Sequence, residues 1–134
     1  MDAQCRRDLW AIAIENYQAA RLTAQQGWHN VSAACSYYAV YTAMWVALGD
    51  PPRGQWSHGG ILQHFAPGRW RLPPAPLERA VTNAIRSGYN MRLKAHYKAV
   101  RLSTADSADS LMTARQVLQL VATALSLAQG GIMP

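Results

Sequence analysis

Acidic residues are scarce in this chain: 7 Asp and Glu stand against 13 Lys and Arg in 134 residues, for a net charge of +6. Such an excess points to a polyanion such as RNA or DNA, or to an acidic partner protein. Cysteine is nearly absent. Cys5 and Cys35 have no CxxC partner and no nearby His at metal spacing, which excludes a disulfide framework and a thiolate metal site and fits reduced thiols in a cytoplasmic protein. No stretch alternates apolar and polar residues with the period of two that a strand needs. No glycine-rich loop precedes a helix in the P-loop pattern, so a nucleoside-triphosphate hydrolase is unsupported. The N-terminus, MDAQCRRDLWAIAIENY, lacks the apolar stretch and small-residue cleavage site of a secretory signal.

Charge is missing altogether from Val31 to Gly49, 19 residues of membrane-spanning length. The same run carries Ser32, Ser36, Tyr37, Tyr38, Tyr41 and Thr42, and no basic cluster flanks one end only. Those hydroxyls favour a buried helix at the centre of the fold over a membrane span.

Around it the period is helical. Leu9, Ile12, Ala13, Tyr17, Ala20 and Ala24 recur at steps of three and four, which predicts a helix over 7–26 stopped by Gly27. The uncharged helix follows with Asn30 or Ser32 as cap and Gly49-Asp50-Pro51-Pro52 as terminator. Ser57 caps a short helix, SHGGILQHF, whose double glycine leaves its stability to packing. Pro76 suits the first turn of a fourth helix with Leu77, Val81, Ile85 and then Tyr89 or Arg92 on one face, running to about Tyr97. Residues 103–110, STADSADS, read as a polar loop, and Leu111, Ala114, Leu118, Val121 and Leu125 give a last helix ended by Gly130-Gly131. Four long helices and one short one predict a single all-α domain, an up-and-down bundle.

The feature that bears on function lies between Arg86 and Arg101. These sixteen residues hold Arg86, Arg92, Lys94, His96, Lys98 and Arg101 and no acid. On a helix, Arg92 and His96 are four apart and share a face. An arginine beside a titratable imidazole is a candidate phosphate site, with Arg86, Lys94, Tyr97, Lys98 and Arg101 guiding an RNA backbone.

Three blocks give the chain a family likeness: residues 16–49 (NYQAARLTAQQGWHNVSAACSYYAVYTAMWVALG), 57–65 (SHGGILQHF) and 92–97 (RLKAHY). Together and in this order they resemble the HEPN domain, whose small stand-alone members read approximately A-x-x-L, YYA-x-[FY]-x-A, H-x-x-[IV]-x-x-x-F and R-x-x-A-D-Y. The resemblance implies a five-helix bundle that often forms a homodimer. It also implies a metal-independent endoribonuclease, in several cases a toxin restrained by an MNT-type nucleotidyltransferase, and it brings no cofactor and no metal. The family's nuclease signature separates Arg from His by four to six residues. Here three residues separate Arg92 from His96, and His96 stands where small members carry Asp. Two readings follow: Arg92 and His96 form an active pair, or Arg92 and Tyr97 anchor the helix end and His96 is a surface residue.

Metal-free RNA cleavage needs a base for the 2'-hydroxyl proton, an acid for the leaving oxygen and a cation for the phosphorane charge. His96 suits the proton steps and Arg92 the charge. One imidazole cannot serve as acid and base in the same step, so a second copy of the chain is expected to contribute. His58 and His64 point to different faces of the short helix and are read as capping and packing residues, and His29 is given no role. Tyr37, Tyr38 and Tyr41 fit either core packing or the stacking of a base. Against the nuclease stands a non-catalytic interaction module that binds a nucleotidyltransferase partner, or a nucleotide, within a larger assembly.

Overall fold

The computed structural model describes residues 1–132. Its elements are α1 (Ala3–Gln25), α2 (His29–Leu48), α3 (His58–Phe65), α4 (Arg79–Tyr97) and α5 (Thr104–Leu125), with no strand among the described residues. The all-helical bundle of four long helices and a short one is the expected one; several boundaries moved, each for a local reason.

Helix α1 begins before Arg7 because the Asp2 carboxylate accepts from the Cys5 amide at 2.7 Å and caps it. Three residues then lead into α2, so the two helices pack as a hairpin. Neither Asn30 nor Ser32 caps α2. Its first residue is His29, and Trp28 precedes it without a side-chain cap. Ser32 is instead buried and donates to the Ala20 carbonyl at 2.7 Å, which ties α2 to α1.

Helix α2 touches all four other helices. It is long and apolar enough to cross a membrane, but 67% of its most apolar window is buried inside the bundle. Ala33, Ala39, Ala43 and Ala47 let neighbours approach closely, and Met44 and Val46 fill the centre with Phe65, Ile61 and Leu118. Each of those large side chains contributes about 1.5–3 kcal/mol by leaving water.

Ser57 caps α3 as expected, its hydroxyl accepting from the Gly60 amide at 3.0 Å. Packing does hold this glycine-weakened helix: Ile61, Leu62 and Phe65 are buried, and Phe65 stacks on Trp70 with ring centres 4.7 Å apart. Pro76 does not open α4. Leu77 donates to the Ala66 carbonyl at 2.8 Å, holding that segment against the end of α3, and the helix starts after Glu78.

Helix α4 is amphipathic but shallow. Only Val81 and Ile85 are buried, and further along the same stripe Tyr89 and Arg92 meet the tyrosine face of α2. The helix therefore passes from core element to site element along its length.

The loop expected over 103–110 is helix. Ser103 and Asp106 form a reciprocal capping box, with bonds of 2.9 and 3.1 Å, which starts α5 at Thr104. Ser107, Ser110 and Thr113 point inward and are buried, so the polar sequence conceals a packing face of small hydroxyl residues. The helix ends at Leu125 with Ser126 in left-handed geometry, before the glycine pair. Gly131 serves elsewhere: its carbonyl accepts from the Gln18 amide, and a side chain there would overlap Ile14.

Candidate functional site

Five rings gather where α2, α3 and α4 meet. Tyr37, Tyr38 and Tyr41 come from consecutive turns of α2, His58 opens α3, and Tyr89 comes from the exposed half of α4. The His58 ring stacks on Tyr89, centroids 4.8 Å apart and planes 22° apart. It also lies 5.4 Å from Tyr37 and 5.2 Å from Tyr41. A hydrogen bond of 2.8 Å joins its Nδ1 to the Tyr37 hydroxyl.

Arg92 borders this cluster. One guanidinium nitrogen donates to the Tyr38 hydroxyl at 2.7 Å, and the group lies 5.0 Å from the Tyr38 ring centre and 5.6 Å from that of Tyr97. Tyr97 itself is 67% exposed. Among the described residues no carboxylate comes within ion-pair distance of Arg92, and its Nε has no hydrogen-bond partner. The cation is thus positioned by hydroxyl and π-faces, with its charge uncompensated.

This arrangement sets the protonation of its neighbours. Burial, and then the Arg92 charge, hold His58 below the ordinary imidazole range. Burial pushes the Tyr37 hydroxyl well above its ordinary range, with Tyr89 adding to the effect and Arg92 opposing it. Tyr41 moves up by burial alone. At neutral pH the site therefore presents a neutral His58 imidazole, protonated Tyr37 and Tyr41 phenols and one fixed cation.

The residues anticipated from the sequence divide between two regions. Arg92 and Tyr97 belong to the cluster, and Arg86 lines a cavity beside it. His96 is exposed one turn beyond Arg92 on the same face, with Tyr97 at 6.3 Å its one ring neighbour among the described residues. Lys94 is exposed two residues from Arg92, on the opposite side of α4, where its charge acts on Asp106. Lys98 ends the helix as its cap residue, and Arg101 lies beyond it beside Trp28 and His29.

His58, read from the sequence as a capping and packing residue, does pack, but into this cluster and under the influence of Arg92. The signal available was the i, i+4 pair Tyr37 and Tyr41 together with a His at the head of a helix; their proximity depends on the loop between α2 and α3. His29 also has partners. Its ring nitrogens lie 2.7 Å from the Ser107 hydroxyl and 3.3 Å from that of Thr104, joining the starts of α2 and α5. Cys5 and Cys35 are free, and burial pushes the Cys35 thiol up. No group of three or more His, Cys, Asp or Glu side chains among the described residues could hold a metal ion.

Compared with protein-family models and with curated proteins, the chain matches none.

Proposed function

We propose that this chain is an RNA-directed protein of the HEPN type, a cytoplasmic metal-independent endoribonuclease of a toxin or defence system. The observation that carries the reading is Arg92: an uncompensated guanidinium, fixed by Tyr38 and Tyr97 beside a neutral imidazole. A fixed, unpaired cation suits a phosphate that gains charge in the transition state.

The chemistry uses two imidazoles. His58 Nδ1 and the Tyr37 hydroxyl share a hydrogen bond, and in the tautomer protonated at Nδ1 the Nε2 lone pair takes the 2'-hydroxyl proton. The 2'-oxygen attacks phosphorus, Arg92 holds the phosphorane oxygens, and the bond to the 5'-oxygen breaks. His96, on the Arg92 face, gives that oxygen its proton. The products are a 2',3'-cyclic phosphate and a 5'-hydroxyl.

RNA cleavage in EDTA with cyclic phosphate ends is the expected result. Arg92→Ala, His58→Ala and His96→Ala should each slow it by about 10²–10⁴-fold with the fold intact. Full activity in Arg92→Ala overturns the reading.

A second reading is favoured by exposed apolar residues along the first half of α2 (Val31 and Tyr38), at the end of α4 (Tyr97) and just beyond it (Val100). Such a strip suits a protein surface, either a second copy in a homodimer or a nucleotidyltransferase partner of the MNT type. Under it the chain is a non-catalytic module, and Tyr97→Glu releases a co-purifying partner while no RNA is cleaved.

A further inference from the structure

We infer that the slot between α3 and α4, next to Arg92, is a base pocket that takes one nucleobase of a single-stranded RNA. The inference rests on the RNA-directed reading and names what that site selects. The slot has a volume of about 280 Å³. That lies just below the usual range of small-molecule sites, which suits a single ring system better than a larger ligand.

Its walls have the composition a base requires. Rings of Tyr37, His58 and Tyr89 line it, and the buried side chains of Leu62 and Ile85 form its floor. Flat faces of this kind bind bases by stacking, because every base has a π-face. At the mouth, Gln63 offers an amide donor and acceptor in one plane, the pattern that pairs with a base edge. Arg86 stands at the rim, held only by a long 3.5 Å contact to Asn83 and free to meet a phosphate. Arg92 bonds the hydroxyl of Tyr38, whose ring centre lies 6.4 Å from that of Tyr37 in the slot wall, so base and phosphate positions adjoin.

Gly59 completes the site. It lines the slot on α3, and a Cβ there would meet no atom within 4 Å, so the glycine leaves space open where most residues would fill it. The larger groove between α4 and α5, about 420 Å³, lacks these features. It is lined by Met91, Met112 and Asp109 and by no cation, and a carboxylate there repels the phosphate a bound base would carry.

The test is fluorescence anisotropy of four short 2'-O-methylated homopolymers, rA, rC, rG and rU, which the protein cannot cleave. The wild-type chain is expected to prefer one of the four by about tenfold, within what a side-chain amide such as Gln63 contributes to discriminating base edges, with stacking common to all four. Gly59→Leu should lose that preference and bind the favoured oligonucleotide about tenfold more weakly. Its melting temperature should not fall, since leucine is the better helix former. Gln63→Ala, at an exposed position, should relax the preference without altering the fold. Equal binding of all four by the wild type, or an unchanged preference in both variants, overturns the pocket and leaves the RNA reading standing. No binding of any of the four overturns both.

Discussion

Arg92 acts on the imidazole of His58 as well as on the tyrosines around it. Two causes, burial and the nearby guanidinium, hold that imidazole neutral. In the unfolded chain the same side chain titrates near pH 6.5. Between its depressed folded value and that figure, the unfolded state binds more protons than the native one. Stability therefore rises with pH through this window and is lost as pH falls below about 6.5. His58→Asn removes the linkage, so melting temperatures of the variant measured from pH 7.5 down to 5 should fall less steeply than those of the wild type. Parallel curves would mean that His58 is not the titrating group. The same neutrality makes His58 available as a proton acceptor at physiological pH, which a freely solvated imidazole shares only in part.

At the scale of elements, the segment joining α4 to α5 is held by one side chain. Asn30 donates to the carbonyls of Val100 at 2.8 Å and Ala95 at 3.3 Å, and accepts from the Leu102 amide at 2.9 Å. Ala99, in left-handed geometry, turns the chain there. Asn30→Ala leaves three backbone groups to find other partners. It should cost about 1–3 kcal/mol in denaturant unfolding and raise hydrogen exchange over 98–102.

Asn30 also shows where sequence reasoning stops. Spacing suggested it as a cap, a local role, whereas its bonds reach residues 65 to 72 positions away. Helices were legible where apolar residues recur at steps of three and four, as in α1, where a long uncharged run marks a buried helix, as in α2, and where a cap stands in the ordinary place, as Ser57 does. The start of α5 was hidden because STADSADS has the composition of a loop, and its inward face is satisfied by hydroxyl bonds, Ser107 to the Thr104 carbonyl and to His29. Arg92 could be named from the basic run alone. That its imidazole neighbour comes from the head of α3 could not, since only the tertiary fold brings α3 and α4 to the same side of α2.

Over the whole molecule the charge is unbalanced, 13 basic side chains standing against 7 acidic ones. The Met1 ammonium pairs with Asp50, far in sequence from the basic run. On the proposed RNA-directed reading, affinity should be strongly salt-dependent, with each phosphate contact adding about 0.7 to the slope of log K against log salt for a single strand. Removing Arg86 and Arg92 together should reduce that slope by about 1.4. Lys94→Ala, on the far side of α4, should leave it nearly unchanged. A titration from low to moderate salt distinguishes a localised footprint from diffuse attraction, since under diffuse attraction all three cations would count alike.

One helix, α2, is at once the centre of the core and a wall of the site, touching every other helix while presenting Tyr37 and Tyr38 to Arg92 and His58. A ligand that grips those tyrosines therefore grips the folded chain as a unit, and occupancy at one edge slows unfolding everywhere. Loaded copies should therefore resist proteolysis better than empty ones, because cleavage acts on the opened chain.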